Sequence, residues 1–144
     1  MRNNQWLESR LELIQKEHFA DARFCNNVTI KFGRRARTRL GSIRKQYGRS
    51  ILNKLTNHYD SEILINGIFK NEELPEFLID ATIGHELCHY VHGFSSPLPQ
   101  LSRYPHSGRL VDKEMINRGM GDMLLTQKKW LKNNWIRIIK ENKL

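Results

Sequence analysis

Cysteine is nearly absent from this chain: Cys25 and Cys88 are the only two. That excludes a disulfide scaffold and an all-cysteine zinc site, and it suits a reduced, cytoplasmic setting. No stretch approaches the roughly 20 apolar residues of a membrane span. Nor does Met1 to Lys16, which alternates polar and apolar residues, resemble a signal peptide. A membrane is therefore not an expected partner. Acidic residues are outnumbered, 15 against 24 Lys and Arg, for a formal charge of +9 in 144 residues. The imbalance points to a polyanionic partner, nucleic acid above all, with simple solubility as the bland alternative. Proline is scarce too, and three of its four copies, Pro97, Pro99 and Pro105, fall within one segment. No repeat, low-complexity tract or linker divides residues 1–144, so a single domain is expected.

What is present centres on His85-Glu86-Leu87-Cys88-His89, an H-E-x-x-H pattern. Two histidines four apart on a helix project from one face about 6 Å apart, so both imidazoles can reach one metal ion. Zinc suits imidazole and can keep a position open for water, from which Glu86 would take a proton. Five-residue patterns arise by chance, and the bland reading is a helix with two unrelated histidines. Context supports a real helix of roughly 18 residues. Pro75 suits its first position and Glu76 its positive end; apolar residues from Phe77 to Val91 imply burial, and Gly93 supplies a stop.

The remaining elements read as follows. A helix is expected over Asn4 to Ala22, with His18 a packed histidine on its apolar stripe. Val28 to Phe32 alternates as a strand; Thr38 to Arg44 is a weaker one, and the two together read as a hairpin. Leu52, Leu55 and Tyr59 suggest a short helix, and Glu62 to Ile65 a third strand. After Gly93 comes a proline- and serine-rich loop from Phe94 to Ser107, long enough to be functional. Helices are expected over Gly108 to Arg118 and Gln127 to Asn142, the latter burying Trp130 and Trp135. The sum is an α+β fold, with about three strands packed on the motif helix and further helices flanking it.

A catalytic zinc takes three protein ligands and leaves one place for water. His92 lies seven residues, or roughly 10 Å of helix rise, beyond His85 and is too far along the helix to join it. His106, at the end of the loop, is preferred as the third ligand, with Glu114 as the alternative. Asp112 or Glu114 could otherwise hold a ligand imidazole by its second ring nitrogen. Tyr90, Arg103 and Tyr104 are candidates for stabilising a developing oxyanion.

From Val28 to Gly119 the chain resembles the SprT-like zinc metalloproteases, the group that includes the Spartan protease domain. The likeness runs through Arg35 to Arg44, Ile63-Leu64-Ile65-Asn66, Leu74-Pro75-Glu76, the His85 to His89 core and Pro105-His106. It implies a zincin-like fold, one zinc ion per chain and a peptidase acting on proteins, with His106 as third ligand. Because the family includes DNA-dependent proteases that digest proteins crosslinked to DNA, it also implies a nuclear or nucleoid association where DNA is bound. Ser107 stands where the family has glycine and Leu110 where an aromatic is common, which alters the expected cleft but removes no ligand. The family's C-terminal zinc ribbon is missing, since no cysteine follows Cys88. Nucleic-acid contacts must then come from elsewhere, and Arg34, Arg35, Arg37 and Arg39 are the candidates. The competing reading is a basic DNA-binding module with a structural zinc and little proteolysis.

Overall fold

Helix α3, Glu76–Val91, is the element against which the rest is packed. From Leu78 to Tyr90 only His85 of its residues is not buried. A computed structural model describes all residues 1–144. It places α1 (Asn4–His18), strands β1 (Val28–Phe32) and β2 (Gly41–Gln46), the short helix α2 (Ile51–Leu55) and strand β3 (Asp60–Ile65) before α3. Helices α4 (Leu110–Asn117) and α5 (Gly121–Glu141) follow it. No helix is long and apolar enough to cross a membrane.

The protein is α+β, with five α-helices and one mixed three-stranded sheet in the order β1-β3-β2. The expected hairpin is not there. Strand β3 inserts between β1 and β2, parallel to the first and antiparallel to the second. Residues 33–40 therefore cross over the end of β3 instead of turning back on β1, and Asn66 is what holds them. Its side-chain amide donates to the carbonyls of Ala36 (2.8 Å) and Arg39 (2.7 Å), while its oxygen accepts from Ala36 N at 3.2 Å. A buried side chain thus satisfies loop backbone that has no ladder partner. Trp135 adds an indole hydrogen bond to the carbonyl of Arg37, 2.9 Å.

On one face of the sheet Ile30, Phe32, Ile63 and Ile65 pack beneath α1 and α3. On the other, buried Glu62 is neutralised across the strands by Arg44 (2.7 Å) and Lys31 (3.5 Å). Helix α1 is capped by Asn3, whose side chain accepts from Trp6 N, and it buries Leu7, Leu11 and Ile14. Arg10 donates from Nε and Nη2 to the two carboxylate oxygens of Asp80 on α3.

Pro75 caps α3 instead of occupying its first turn, and the helix runs for 16 residues. Its far end is a Schellman motif: Phe94 N donates to His89 O, Gly93 N to Tyr90 O, and Gly93 is left-handed at φ 84°. Gly119, at φ 80°, closes α4, and α5 begins at Gly121, six residues before the expected start. Trp130 and Trp135 pack against the core as expected. His18 is half-buried and its Nδ1 lies 2.8 Å from the carbonyl of Arg118, tying α1 to the end of α4.

Candidate metal centre

Helical spacing sets His85, Glu86 and His89 of α3 on the side of the helix that faces β2 and the 94–107 loop. The loop brings His106 back over them. His85 and His89 approach through their Nε2 atoms at 3.1 Å, and His106 Nε2 lies 3.4 Å from His85 Nε2. The ligand atoms of all three lie within 4.8 Å of one another. Around a tetrahedral zinc with ligand bonds of about 2.05 Å, two nitrogens sit roughly 3.3 Å apart. The two separations from His85 match that spacing, and the three histidines lie close enough to hold a metal ion.

Their protonation fits as well. Burial lowers His85 to about 4, helped by the neighbouring charge of His106, and lowers His89 to about 3, helped by His85. Both imidazoles are neutral at physiological pH, with lone pairs free for a cation. His89 Nδ1 is buried without a hydrogen-bond partner, so no protein group fixes that ring's tautomer.

Glu86 is only 4% exposed. Burial pushes its carboxyl up to about 8, opposed only by the positive charge of Arg39. It sits over Gly41, the first residue of β2, where a Cβ would stand 2.6 Å from Thr82 Cγ2 and 3.4 Å from Glu86 Oε1. Glycine is what lets the helix and the strand come this close. Thr82 is itself locked: Gln127 Nε2 donates to its hydroxyl at 3.1 Å and to Leu78 O at 3.0 Å. These residues floor an open cleft of about 690 Å³, walled by β2 on one side and by Phe94, Pro105 and His106 on the other.

His85, Glu86, His89 and His106 are thus brought together. Glu114, the alternative ligand, is engaged elsewhere: buried His92 lies 3.1 Å from its Oε1, and Arg118 Nε 3.3 Å from its Oε2. Asp112 is held by Lys128 at 2.6 Å, so neither carboxylate supports a ligand imidazole. None of the three oxyanion candidates lines the cleft. Tyr90 donates its hydroxyl to Asn26 (2.6 Å) on the far side of α3, and Arg103 stacks on Tyr104. Sequence reasoning missed Gly41, Thr82 and Gln127; the glycine opening a strand was the one visible signal.

Arg34, Arg35, Arg37 and Arg39 are all exposed on the crossover. Arg39 also lines the cleft, so the basic loop and the three histidines share a border. Comparison with protein families, with curated proteins and with solved structures finds no match to this chain.

Proposed function

We propose that this chain is a zinc-dependent metallopeptidase in which His85, His89 and His106 hold the ion and Glu86 is the general base. The convergence of three Nε2 atoms beside a buried carboxylate in an open cleft carries this reading. Bound there, zinc would lower the pKa of a water molecule and polarise a peptide carbonyl. Glu86 takes the proton of the attacking water and delivers it to the leaving amine. Burial raises the basicity of this carboxyl, and a nearby cation would offset it enough to leave the charged form that accepts a proton. Strand β2 pairs only with β3, so its other edge is free to bind an extended peptide along the cleft. The likeness to SprT-like proteases, and the zincin-like arrangement it implies, concurs.

A structural zinc would be closed by four protein ligands, whereas this group supplies three. That favours the enzyme over the DNA-binding module. The exposed arginines beside the cleft support a second element of the reading: they hold nucleic-acid phosphates while protein is cleaved next to them. Casein or histone digestion by wild type and Glu86→Gln, with and without single-stranded DNA, tests both. The variant is expected to keep its zinc and lose turnover by about 10²–10⁴-fold. Wild-type proteolysis by Glu86→Gln overturns the mechanism, and digestion unchanged by DNA removes the nucleic acid from it.

A further inference from the structure

Helix α2 is amphipathic in the wrong direction. Its apolar residues Ile51, Leu52 and Leu55 share one face, and they are 76%, 67% and 78% exposed. The half-buried side is polar. There Asn53 donates to Tyr47 O at 3.2 Å, and its backbone N–H is capped by the hydroxyl of Ser50. No residue of α2 is buried. Surface leucines are ordinary when single, but three contiguous ones presented by a helix that contributes nothing to the core ask for a partner.

The surroundings say which partner. Arg49 and Lys54 flank the apolar face, within a stretch from Gly33 to Tyr59 that has eight lysines and arginines and no acid. At the base of the projection Tyr47 and Tyr59 meet edge to face, with centroids 5.5 Å apart, and Lys45 lies over the Tyr59 ring at 4.8 Å. Aliphatic, cationic and aromatic side chains thus adjoin one another here. An anionic bilayer accommodates all three kinds of group: its hydrocarbon takes aliphatic side chains, and its headgroup region takes cations and amphipathic tyrosines.

We propose that the α2 tip docks on an anionic lipid surface, inserting Ile51, Leu52 and Leu55 between headgroups whose charges meet Arg49 and Lys54. A second copy of this chain fits poorly, because it would bring the same uncompensated cations face to face. Five residues are also far short of the roughly 800 Å² each partner gives to a stable protein interface. Nucleic acid satisfies the cations but offers no apolar layer for three adjacent aliphatic side chains, since a wedge enters only by unstacking and kinking a base step.

Co-sedimentation of the full chain with vesicles tests it. Wild type is expected to pellet with phosphatidylcholine vesicles containing phosphatidylserine and to stay in solution with phosphatidylcholine alone. Replacing Ile51, Leu52 and Leu55 together by serine lowers the partition about a hundredfold or more. Arg49→Gln with Lys54→Gln lowers it about thirtyfold. Circular dichroism and zinc content of both variants stay those of wild type, because these side chains touch no core residue. Equal partition of wild type and the triple variant overturns the proposal, as does a wild type that ignores the anionic vesicles. In that second case, loss of oligonucleotide binding or of self-association in the triple variant would identify nucleic acid or a second copy as the occupant instead.

Discussion

Glu86→Gln is expected to stabilise the metal-free protein. Folded, the Glu86 carboxyl holds its proton up to about pH 8, against an ordinary 4.5 in the unfolded chain. Between those values the unfolded state has released a proton that the folded state keeps, so Glu86 costs stability progressively as pH rises from 4.5 to 8. At pH 7 the interval above 4.5 is 2.5 pH units, worth roughly 3.4 kcal/mol at about 1.36 kcal/mol each. Glutamine never charges, but its partly unpaired amide returns about 1 kcal/mol of that gain. The net expectation is a variant about 2 kcal/mol more stable at pH 7, level with wild type near pH 5, and at its greatest advantage above pH 8. His85 and His89 titrate alike in both proteins and cancel in the difference. Urea unfolding in EDTA at successive pH values measures it, and one equivalent of zinc should narrow the gap by favouring the carboxylate. A difference that does not grow with pH, or a variant weaker than wild type at pH 8, would refute the reasoning.

Three further outcomes are expected. His106→Ala should leave the metal-free fold intact, since the side chain is exposed, while weakening zinc binding by about a hundredfold or more, and Glu114→Gln should not change it; competition with a chelating dye reads both, and the reverse pattern would move the ligand. Gly41→Ala should destabilise by about 1–3 kcal/mol in urea and slow proteolysis, because its methyl meets Thr82 at 2.6 Å and crowds Glu86. Replacing Arg34, Arg35, Arg37 and Arg39 by glutamine should flatten the salt dependence of oligonucleotide binding at unchanged zinc content; identical slopes for both proteins would make those arginines a solvated face.

The motif helix was legible because its information is local. Residues four apart must share a face, proline and glycine mark the ends, and the rise per residue removes His92 from the ligand set. His106 was legible only as a preference, since its approach to His85 depends on the path of the whole loop. Glu114 stayed open as an alternative because the histidine that occupies it, His92, lies 22 positions away and pairs with it only in the folded chain. The hairpin failed for a related reason. Alternation identifies a strand but not its neighbour, and β3 enters between β1 and β2 from further along the chain, where Asn66 catches the crossover. Leu52, Leu55 and Tyr59 suggested a short helix; it ends at Leu55, short of Tyr59, and that its leucines face outward has no signature in spacing.

The 94–107 loop has a further consequence. Leu101 N donates to His92 O at 3.0 Å, and Gly93 packs against the backbone at Pro99, so the loop is tied at its root. An ion shared by His85, His89 and His106 would tie it again at its tip. In polymer terms that ion is a cross-link closing a ring of 18 residues from His89 to His106. Unlike a disulfide, which constrains the unfolded chain, an ion that leaves on unfolding stabilises the fold through its binding free energy. With a cysteine count too low for covalent staples, the chain would be held at this loop only while the ion is bound, so a chelator would loosen it where a reductant would not.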